Sequence, residues 1–476
     1  MLDILIRGGQ VVTPKACGVY DVGIAGEKIV AVEKDGALSI GENTRIIDAS
    51  GKIVMPGGID PHVHCSWHIP AIDGVPAQLT APPDQVSRAA LWGGTTTMID
   101  FAAWEEGETL EETLSRRDQD WQGRCHCDYA YHVMLRGGMP LELIDAIPEV
   151  IQAGYPTIKI FTTDITPSRR GRMVDFGYMW EVFQAMARSG GLGVIHAEDN
   201  DLVMHMYGRL FQEGRTGFEN MAEVHSVLSE DLSFRRVLRL AENVEGTALY
   251  MMHISAATGV AAVEESRAKN LPVYGETLHQ YLLYSQEDYR RPNGQIYHTY
   301  PSLKTEADQA SLWQATREGT IHCIATDELC CRLSVKVQGK RIDDTTGGNS
   351  GVEPRLAVMY QEMVTARGYS LSQYVDLVSS NAAKIMGLYP RKGAIAPGSD
   401  ADITLLDPEE ARVVRNENLH ESDYTPWEGK EVSAWPVLTI LRGKIVVENG
   451  RFFAEESDGQ YLSRRISDEI LGGAAL

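Results

Sequence analysis

No stretch of this chain approaches the roughly twenty consecutive apolar residues needed to span a bilayer, so a transmembrane helix is not expected. The start, Met1-Leu2-Asp3-Ile4-Leu5-Ile6-Arg7, lacks the basic region and long apolar core of a secretory signal. The seven cysteines are odd in number and irregularly spaced. Cys125 and Cys127 are two apart, and Cys330 and Cys331 are adjacent, so no CxxC pair of a structural zinc site is present. Free thiols in a reducing cytoplasm are the simplest account. Positive charge is also scarce. With 44 basic against 66 acidic residues the formal charge is −22, a surface that repels nucleic acid and anionic membranes and favours solubility. Internal repeats and low-complexity tracts are missing as well.

What remains is an ordinary globular composition, 43% hydrophobic and 23% charged, over 476 residues. That length accommodates a barrel of roughly 250 residues or more and a smaller domain. The first fifty residues read as short strands: Ile4–Arg7 ending in a turn at Gly8-Gly9, Gln10–Thr13, Val22–Ile24, Lys28–Val32 and Arg45–Asp48. After Pro56 short apolar runs alternate with helical stretches. The strand candidates are Ile53–Ile59, Thr95–Phe101, Tyr129–Met134, Thr157–Phe161, Gly193–His196, Ala248–Ile254, Pro272–Gly275 and Ile321–Thr326. Eight such runs predict an α/β fold of the (β/α)8 TIM-barrel type, although spacing alone also permits a doubly wound sheet. Short strands return near the C-terminus, with a hairpin of Val437–Leu441 and Lys444–Val447 around Arg442-Gly443. The expected division is a β-sandwich from residues 1–55 and 393–455, a barrel over 56–392, and a tail or oligomer arm over 456–476.

Five features fall at the C-terminal ends of the proposed barrel strands, the rim where such barrels carry their active sites. His62 and His64 close the first strand in Asp60-Pro61-His62-Val63-His64, and residues two apart in extended chain share a face. Lys159 sits inside the apolar strand Thr157-Ile158-Lys159-Ile160-Phe161. A buried ammonium is costly, so its pKa falls and it becomes a nucleophilic amine; reaction with CO2 would give an anionic carbamate. A lysine reaching outward from an edge strand is the plainer alternative. His196 and His253 each follow an apolar run, and each alone is as readily a satisfied core histidine as a ligand. Asp327 ends the last strand, where a carboxylate can ligate a metal and take a proton from its water. Together these four histidines, one lysine and one aspartate describe a binuclear metal site. Nitrogen and oxygen ligands suit Zn²⁺, with Mn²⁺, Co²⁺ or Fe²⁺ as alternatives. Two ions about 3.5–4 Å apart can share a hydroxide and polarise a carbonyl.

The chain resembles the dihydropyrimidinase and hydantoinase family of the amidohydrolase superfamily. The matching stretches are Gly57-Gly58-Ile59-Asp60-Pro61-His62-Val63-His64, Gly94–Phe101, Lys159-Ile160-Phe161, His196-Ala197-Glu198, Tyr274-Gly275-Glu276-Thr277 and Pro390–Asp402. The resemblance implies a barrel flanked by a β-sandwich built from both termini, and a homotetramer or dimer. It implies that Lys159 is N6-carboxylysine bridging two zinc ions. His62, His64 and Asp327 would hold one ion and His196 and His253 the other. The implied reaction is hydrolysis of a small cyclic amide, imide or ureide, with Asp327 as the catalytic proton carrier. Dihydroorotase, allantoinase or deaminase chemistry on the same site is an alternative, and a non-catalytic relative would lack several of these ligands.

Departures fall on the substrate side. The family's tyrosine five residues after the bridging lysine is Asp164 here, and its ring-reading serine aligns with Tyr300. The histidine usual after the metal aspartate is Glu328, and the family's Asn-Gly aligns near Gly347-Gly348-Asn349. Asp164, Tyr300, Glu328 and Asn349 are thus the candidate substrate contacts. Arg169, Arg170 and Arg172, after the fourth strand, are candidate partners for a substrate carboxylate. Trp67, His68, Tyr178 and Trp180 are weighed against plain packing or loop roles, as are Cys65, Cys330 and Cys331.

Overall fold

The computed structural model describes residues 1–34, 36–72 and 75–476. Eight parallel strands form one sheet in sequential order: β1 (Gly58–Asp60), β2 (Thr95–Ala103), β3 (Asp128–Met134), β4 (Thr157–Phe161), β5 (Leu192–His196), β6 (Ala248–Met251), β7 (Val273–Leu278) and β8 (Ile321–Ala325). Helices fill the connections, as in Leu110–Trp121 after β2 and Glu306–Glu318 before β8. The latter starts at a Thr305 capping box and stops at Gly319, whose φ of 85° ends the helix without strain on a side chain. The strands are buried along almost their whole length, as expected of a parallel sheet covered on both faces. The sheet curls until its first and last strands meet. There His64 N donates to Glu328 O (2.7 Å) and Glu328 N donates to His62 O (3.2 Å). The barrel reading therefore holds over the doubly wound alternative.

The run expected as a single first strand, Ile53–Ile59, splits between two sheets. Ile53–Pro56 pairs with both terminal segments, through Gln10↔Ile53 and Ile403↔Pro56, and only Gly58–Asp60 belongs to the barrel. Gly57 makes the crossing. A Cβ there would lie 2.1 Å from Thr96 Oγ1, so only glycine lets the chain pass this close to β2. At the N-terminus the expected turn at Gly8-Gly9 is a β-bulge inside one continuous strand, Ile4–Val12. Gly8 has a φ of 71°, the left-handed conformation such a bulge requires.

Both termini contribute to one continuous nine-stranded sheet that encloses its own apolar core around Ile6, Val22, Val54, Leu405 and Ile440. The hairpin of Trp435–Leu441 with Lys444–Glu448 lies in this sheet. A buried cation locks the two domains together. Lys392 Nζ meets Asp128 and Asp402 at 2.6 Å each and Asp400 at 3.0 Å, and Arg442 also pairs with Asp128. Residues 456–476 lie against the barrel of their own chain. Cys125 N donates to Glu456 O (2.7 Å), and Tyr129 N to Gln460 O (3.0 Å). Arg464 is buried, donating to the carbonyls of Tyr131 and Met386 and to Thr157 Oγ1. No helix among the described residues is long and apolar enough to cross a membrane.

Removing the Arg464 guanidinium strips buried acceptors of their donors. Arg464→Met is expected to cost about 2 kcal/mol or more. A lowered thermal unfolding midpoint by calorimetry, with metal content per chain retained, is the expected result; an unchanged midpoint contradicts it.

Candidate metal centre

The barrel rim gathers all six side chains that the sequence nominated. His62 and His64 follow β1 directly, Lys159 is the third residue of β4, and His196 is the last residue of β5. His253 and Asp327 each sit two residues past the end of their strands, in left-handed backbone with φ of 37° and 52°. Such a conformation costs a non-glycine residue about 1–2 kcal/mol, so the surrounding structure holds these two side chains in place against local preference.

His62 Nε2 lies 3.0 Å from Asp327 Oδ1 and His64 Nε2 lies 3.1 Å from the same oxygen. One donor atom from each of the three falls within 4.8 Å of the others, the spacing of ligands around a single ion. The His196 and His253 rings are 4.4 Å apart, and His253 is 5.5 Å from His62. Lys159 Nζ stands among these groups, 4.5 Å from the Phe161 ring centroid and 2.8 Å from Met252 Sδ, with no carboxylate in ion-pair range among the described residues.

Two buried glutamates orient the imidazoles. Glu276 accepts from His62 Nδ1 (2.9 Å), the Tyr250 hydroxyl (2.9 Å) and His253 N (3.1 Å). Glu198 meets His196 Nε2 (2.9 Å) and His225 Nδ1 (2.8 Å), and Tyr207 holds the far side of His225. A carboxylate on one ring nitrogen leaves the other as donor, so His62 presents Nε2 and His196 presents Nδ1 to the site. Both glutamates lie in the motifs His196-Ala197-Glu198 and Tyr274-Gly275-Glu276-Thr277, which by themselves assign them no role. For Glu276 the available signal was a charged residue inside a buried apolar strand, the same one that marked Lys159; Glu198 lies two residues past the end of β5.

Electrostatics follow from these contacts. Burial pushes Lys159 down to about 7, against the pull of Glu276 and Asp327. Burial also depresses His196 to about 4, only partly offset by Glu198. At His62 burial acts in the same downward direction, but Asp327 and Glu276 outweigh it and raise the imidazole to about 9. Asp327 is held well below the usual carboxylate range because His62 and His64 overcome its desolvation. His64 Nδ1 is buried without a partner. Four imidazoles, a carboxylate and an amine that is partly neutral near pH 7 form a donor set suited to divalent cations.

The cavity over these groups is lined further by Trp67, His68, Arg169, Arg172, Tyr300 and Leu329. Of the four candidate substrate contacts, Tyr300 is on this wall, its hydroxyl donating to Thr345 O at 3.1 Å. The other three support backbone. Asp164 Oδ1 accepts from Arg172 N and Met173 N (3.0 Å each). Glu328, fully buried, accepts from Gly351 N (2.8 Å) and Val352 N (3.0 Å). The Asn349 carboxamide, oriented to satisfy its hydrogen bonds, donates to Ile296 O, Gly348 O and His298 O. Trp67 and His68 line the cavity, whereas Trp180 is 47% exposed on the helix Phe176–Ser189 and off the cavity wall. Tyr178 packs half-buried against the barrel core. All seven cysteines are unpaired, and Cys65, Cys330 and Cys331 are buried away from the cavity surface.

Residues 53–446 match the amidohydrolase family. The chain is 32% identical over 476 residues to a D-hydantoinase from Ralstonia pickettii, covering 98% of this chain and 99% of the relative. It is 32% identical over 473 residues to a D-hydantoinase from Geobacillus stearothermophilus, covering 97% and 96%. The crystal structure of dihydropyrimidinase from Brevibacillus agri superposes with a TM-score of 0.90 at 30% identity, covering 97% of this chain and 99% of that one.

The role of Glu276 can be tested on metal-free protein. A raised His62 pKa means the imidazole is protonated below about 9, so metal uptake should strengthen with rising pH and level off near that value. Glu276→Gln removes one of the two carboxylates that raise it, so the levelling point should move down. Above that pH, where His62 is neutral in both proteins, lost orientation should weaken binding about 10- to 100-fold. Metal titrations against a competing chelator check both effects, and an unchanged profile would contradict the assignment.

Proposed function

This chain belongs to the amidohydrolase family, in its hydantoinase and dihydropyrimidinase branch, and from that premise we propose that it hydrolyses the C–N bond of a cyclic amide, imide or ureide. The observation that carries this reading is the convergence of His62, His64, Lys159, His196, His253 and Asp327 on one wall of a rim cavity.

The donor set fits two divalent ions, zinc first and manganese, cobalt or iron as alternatives. His62, His64 and Asp327 would hold one, His196 and His253 the other, and Lys159 would supply an oxygen to each as N6-carboxylysine. Bound ions would supply Lewis acidity toward the ring carbonyl and lower the pKa of water. The depressed Lys159 supports the modification. Near pH 7 a substantial share of its amine is neutral, and its lone pair can attack the carbon of CO2. One N–H proton then leaves to solvent, and a buried ammonium is replaced by an anion facing cations.

Asp327 is assigned the proton transfers. Its Oδ1 faces His62 and His64, which hold the carboxyl ionised at neutral pH. It accepts a proton from the attacking water as the new C–O bond forms, and returns it to the ring nitrogen as the C–N bond breaks. The Thr299 hydroxyl donates to Asp327 Oδ2 and fixes the carboxylate plane. Trp67 and Phe161 wall the cavity with apolar surface beside the reacting groups. The reading includes a homo-oligomer, dimer or tetramer, working in the cytoplasm, which the seven unpaired cysteines and the acidic composition support.

Purified protein is expected to carry about two metal ions per chain by elemental analysis. Chelation should abolish ring opening, across a panel of dihydrouracil, hydantoins, cyclic imides, lactams and allantoin, and added Zn²⁺, Co²⁺ or Mn²⁺ should restore it. Full turnover in exhaustively metal-free protein would overturn the reading. Lys159→Ala should lose both metal and activity, with partial rescue by short carboxylic acids that replace the missing oxygens. Asp327→Asn keeps the size and one oxygen. It should retain most of the metal while kcat falls by a factor of roughly 10² or more, the scale of general acid–base catalysis. Near-parental turnover with both ions bound would move the role to another group.

A further inference from the structure

Among the described residues, two arginines on the cavity wall lack a carboxylate partner. The loop after β4 brings Arg169 and Arg172 to the same cavity as His62, Lys159 and Asp327. The Arg172 guanidinium lies 5.1 Å from the Phe161 ring centroid, the ring that Lys159 also touches, and Arg169 lies 5.4 Å from the Tyr300 ring. Among the described residues no carboxylate pairs with either group, and neither guanidinium makes a hydrogen bond. In a chain with 66 acidic residues to 44 basic ones, that isolation is informative. Elsewhere carboxylates are close at hand, as in Arg117–Asp100 at 2.7 Å and Arg236–Asp199 at 3.0 Å.

The nearby acids are committed elsewhere. Asp164 spends Oδ1 on the backbone amides of Arg172 and Met173. Asp343 and Asp344, on the wall of the adjoining outer cavity, are both engaged by Arg341. Burial, with Arg169 and Arg136 nearby, pushes the Arg172 pKa down, and only Asp164 opposes the shift. Both guanidiniums are half-buried and reach the cavity without a carboxylate beside them, so they offer their N–H donors to an anion that arrives with the ligand.

We propose that the ring opened at this site carries a carboxylate on its substituent, and that Arg172, assisted by Arg169, binds it. The proposal rests on the hydrolase reading above and specifies its substrate class. A guanidinium offers parallel N–H donors that match the two oxygens of a carboxylate. The space suits such a ligand. The cavity over the metal ligands, about 70 Å³, adjoins an outer one of about 220 Å³, and the two share His68, Arg169 and Leu329. With the ring over the metal ligands, the substituent extends past the arginines. The reaction is unaltered: water adds to the ring carbonyl carbon, the C–N bond breaks, the ring nitrogen takes the proton, and the substituent carboxylate emerges unchanged. The product is a dicarboxylate. With a formal charge of −22 the protein as a whole repels such a molecule, which makes a local cationic pair necessary for its capture.

The test uses the metal-loaded enzyme and a matched pair, hydantoin-5-acetate and its primary amide, which are alike in size and differ in charge. The expected kcat/KM favours the acid about tenfold or more, mainly through KM. Arg172→Met should collapse that preference by a similar factor, and Arg172→Lys should keep part of it. Calorimetric binding of the ring-opened pair, N-carbamoylaspartate and N-carbamoylasparagine, reads the same preference without turnover. If the neutral ring is opened while the acid is favoured in neither rate nor binding, the anion site is refuted and the hydrolase reading stands. If no ring is opened but N-carbamoylaspartate still binds more tightly through Arg172, the anion site stands and the hydrolase reading falls. If the protein neither opens the rings nor distinguishes the open-chain pair, both are overturned.

Discussion

The closing rung of the barrel does two jobs at once. Where β1 meets β8, the amide of Glu328 donates to the carbonyl of His62 and the amide of His64 to the carbonyl of Glu328. Thr326 Oγ1 reaches across the same seam to Asp60 (2.6 Å), while Asp60 also accepts the amide of His62 (3.2 Å). Bonds that close the sheet therefore also bring His62, His64 and Asp327 within ligating distance of one another. Asp327 takes a left-handed backbone conformation at this seam, and the hydrogen bonds on either side hold it there. Any change that loosened the seam would loosen the site with it.

The second constraint is the burial of many ionisable groups in a small volume. Lys159 and the four histidines are all almost wholly buried or nearly so, and without counter-charges such a cluster would disfavour every cation in it. Glu276 and Glu198 provide fixed negative charge on the outer side of His62 and His196 and leave the inner side free. The same arrangement selects the donor nitrogen on each ring, while burial, acting against Glu276, lowers the Lys159 pKa. Orientation of His62 and His196 thus comes from the same two carboxylates that counter the cost of burying them.

The substrate side is built differently. Metal-centre residues come from strands and the residues directly after them, where the sheet leaves little freedom. The cavity wall comes from the loops that follow, including the arginine-bearing loop after β4. In that loop Asp164 acts as a brace on the backbone, and the arginines beyond it face the cavity. A change of specificity can therefore accumulate in the loops while the strands, and the chemistry they carry, stay the same.

Much of the metal centre was legible from residue spacing. Histidines two apart in extended chain share a face, and a lysine in an apolar strand is too costly to be incidental, so His62, His64 and Lys159 could be nominated from neighbours alone. The alternation of apolar runs with helical stretches likewise pointed to a barrel with an added β domain, while leaving a doubly wound sheet open. Local spacing was blind to close approach between distant segments. It merged Ile53–Pro56 with Gly58–Asp60, because the need for glycine at residue 57 comes from Thr96. It read a turn at Gly8-Gly9 where pairing with a second strand makes a bulge. It also did not give the directions of Asp164, Glu328 and Asn349, whose hydrogen-bond partners are mostly backbone groups of loops that the sequence leaves undefined. The sequence by itself determined where most of the barrel strands run and which chemical groups their ends carry, because backbone periodicity is local. Only the tertiary structure decided which side chains face the cavity and which cations there lack a counter-charge, because both depend on segments far apart in the chain.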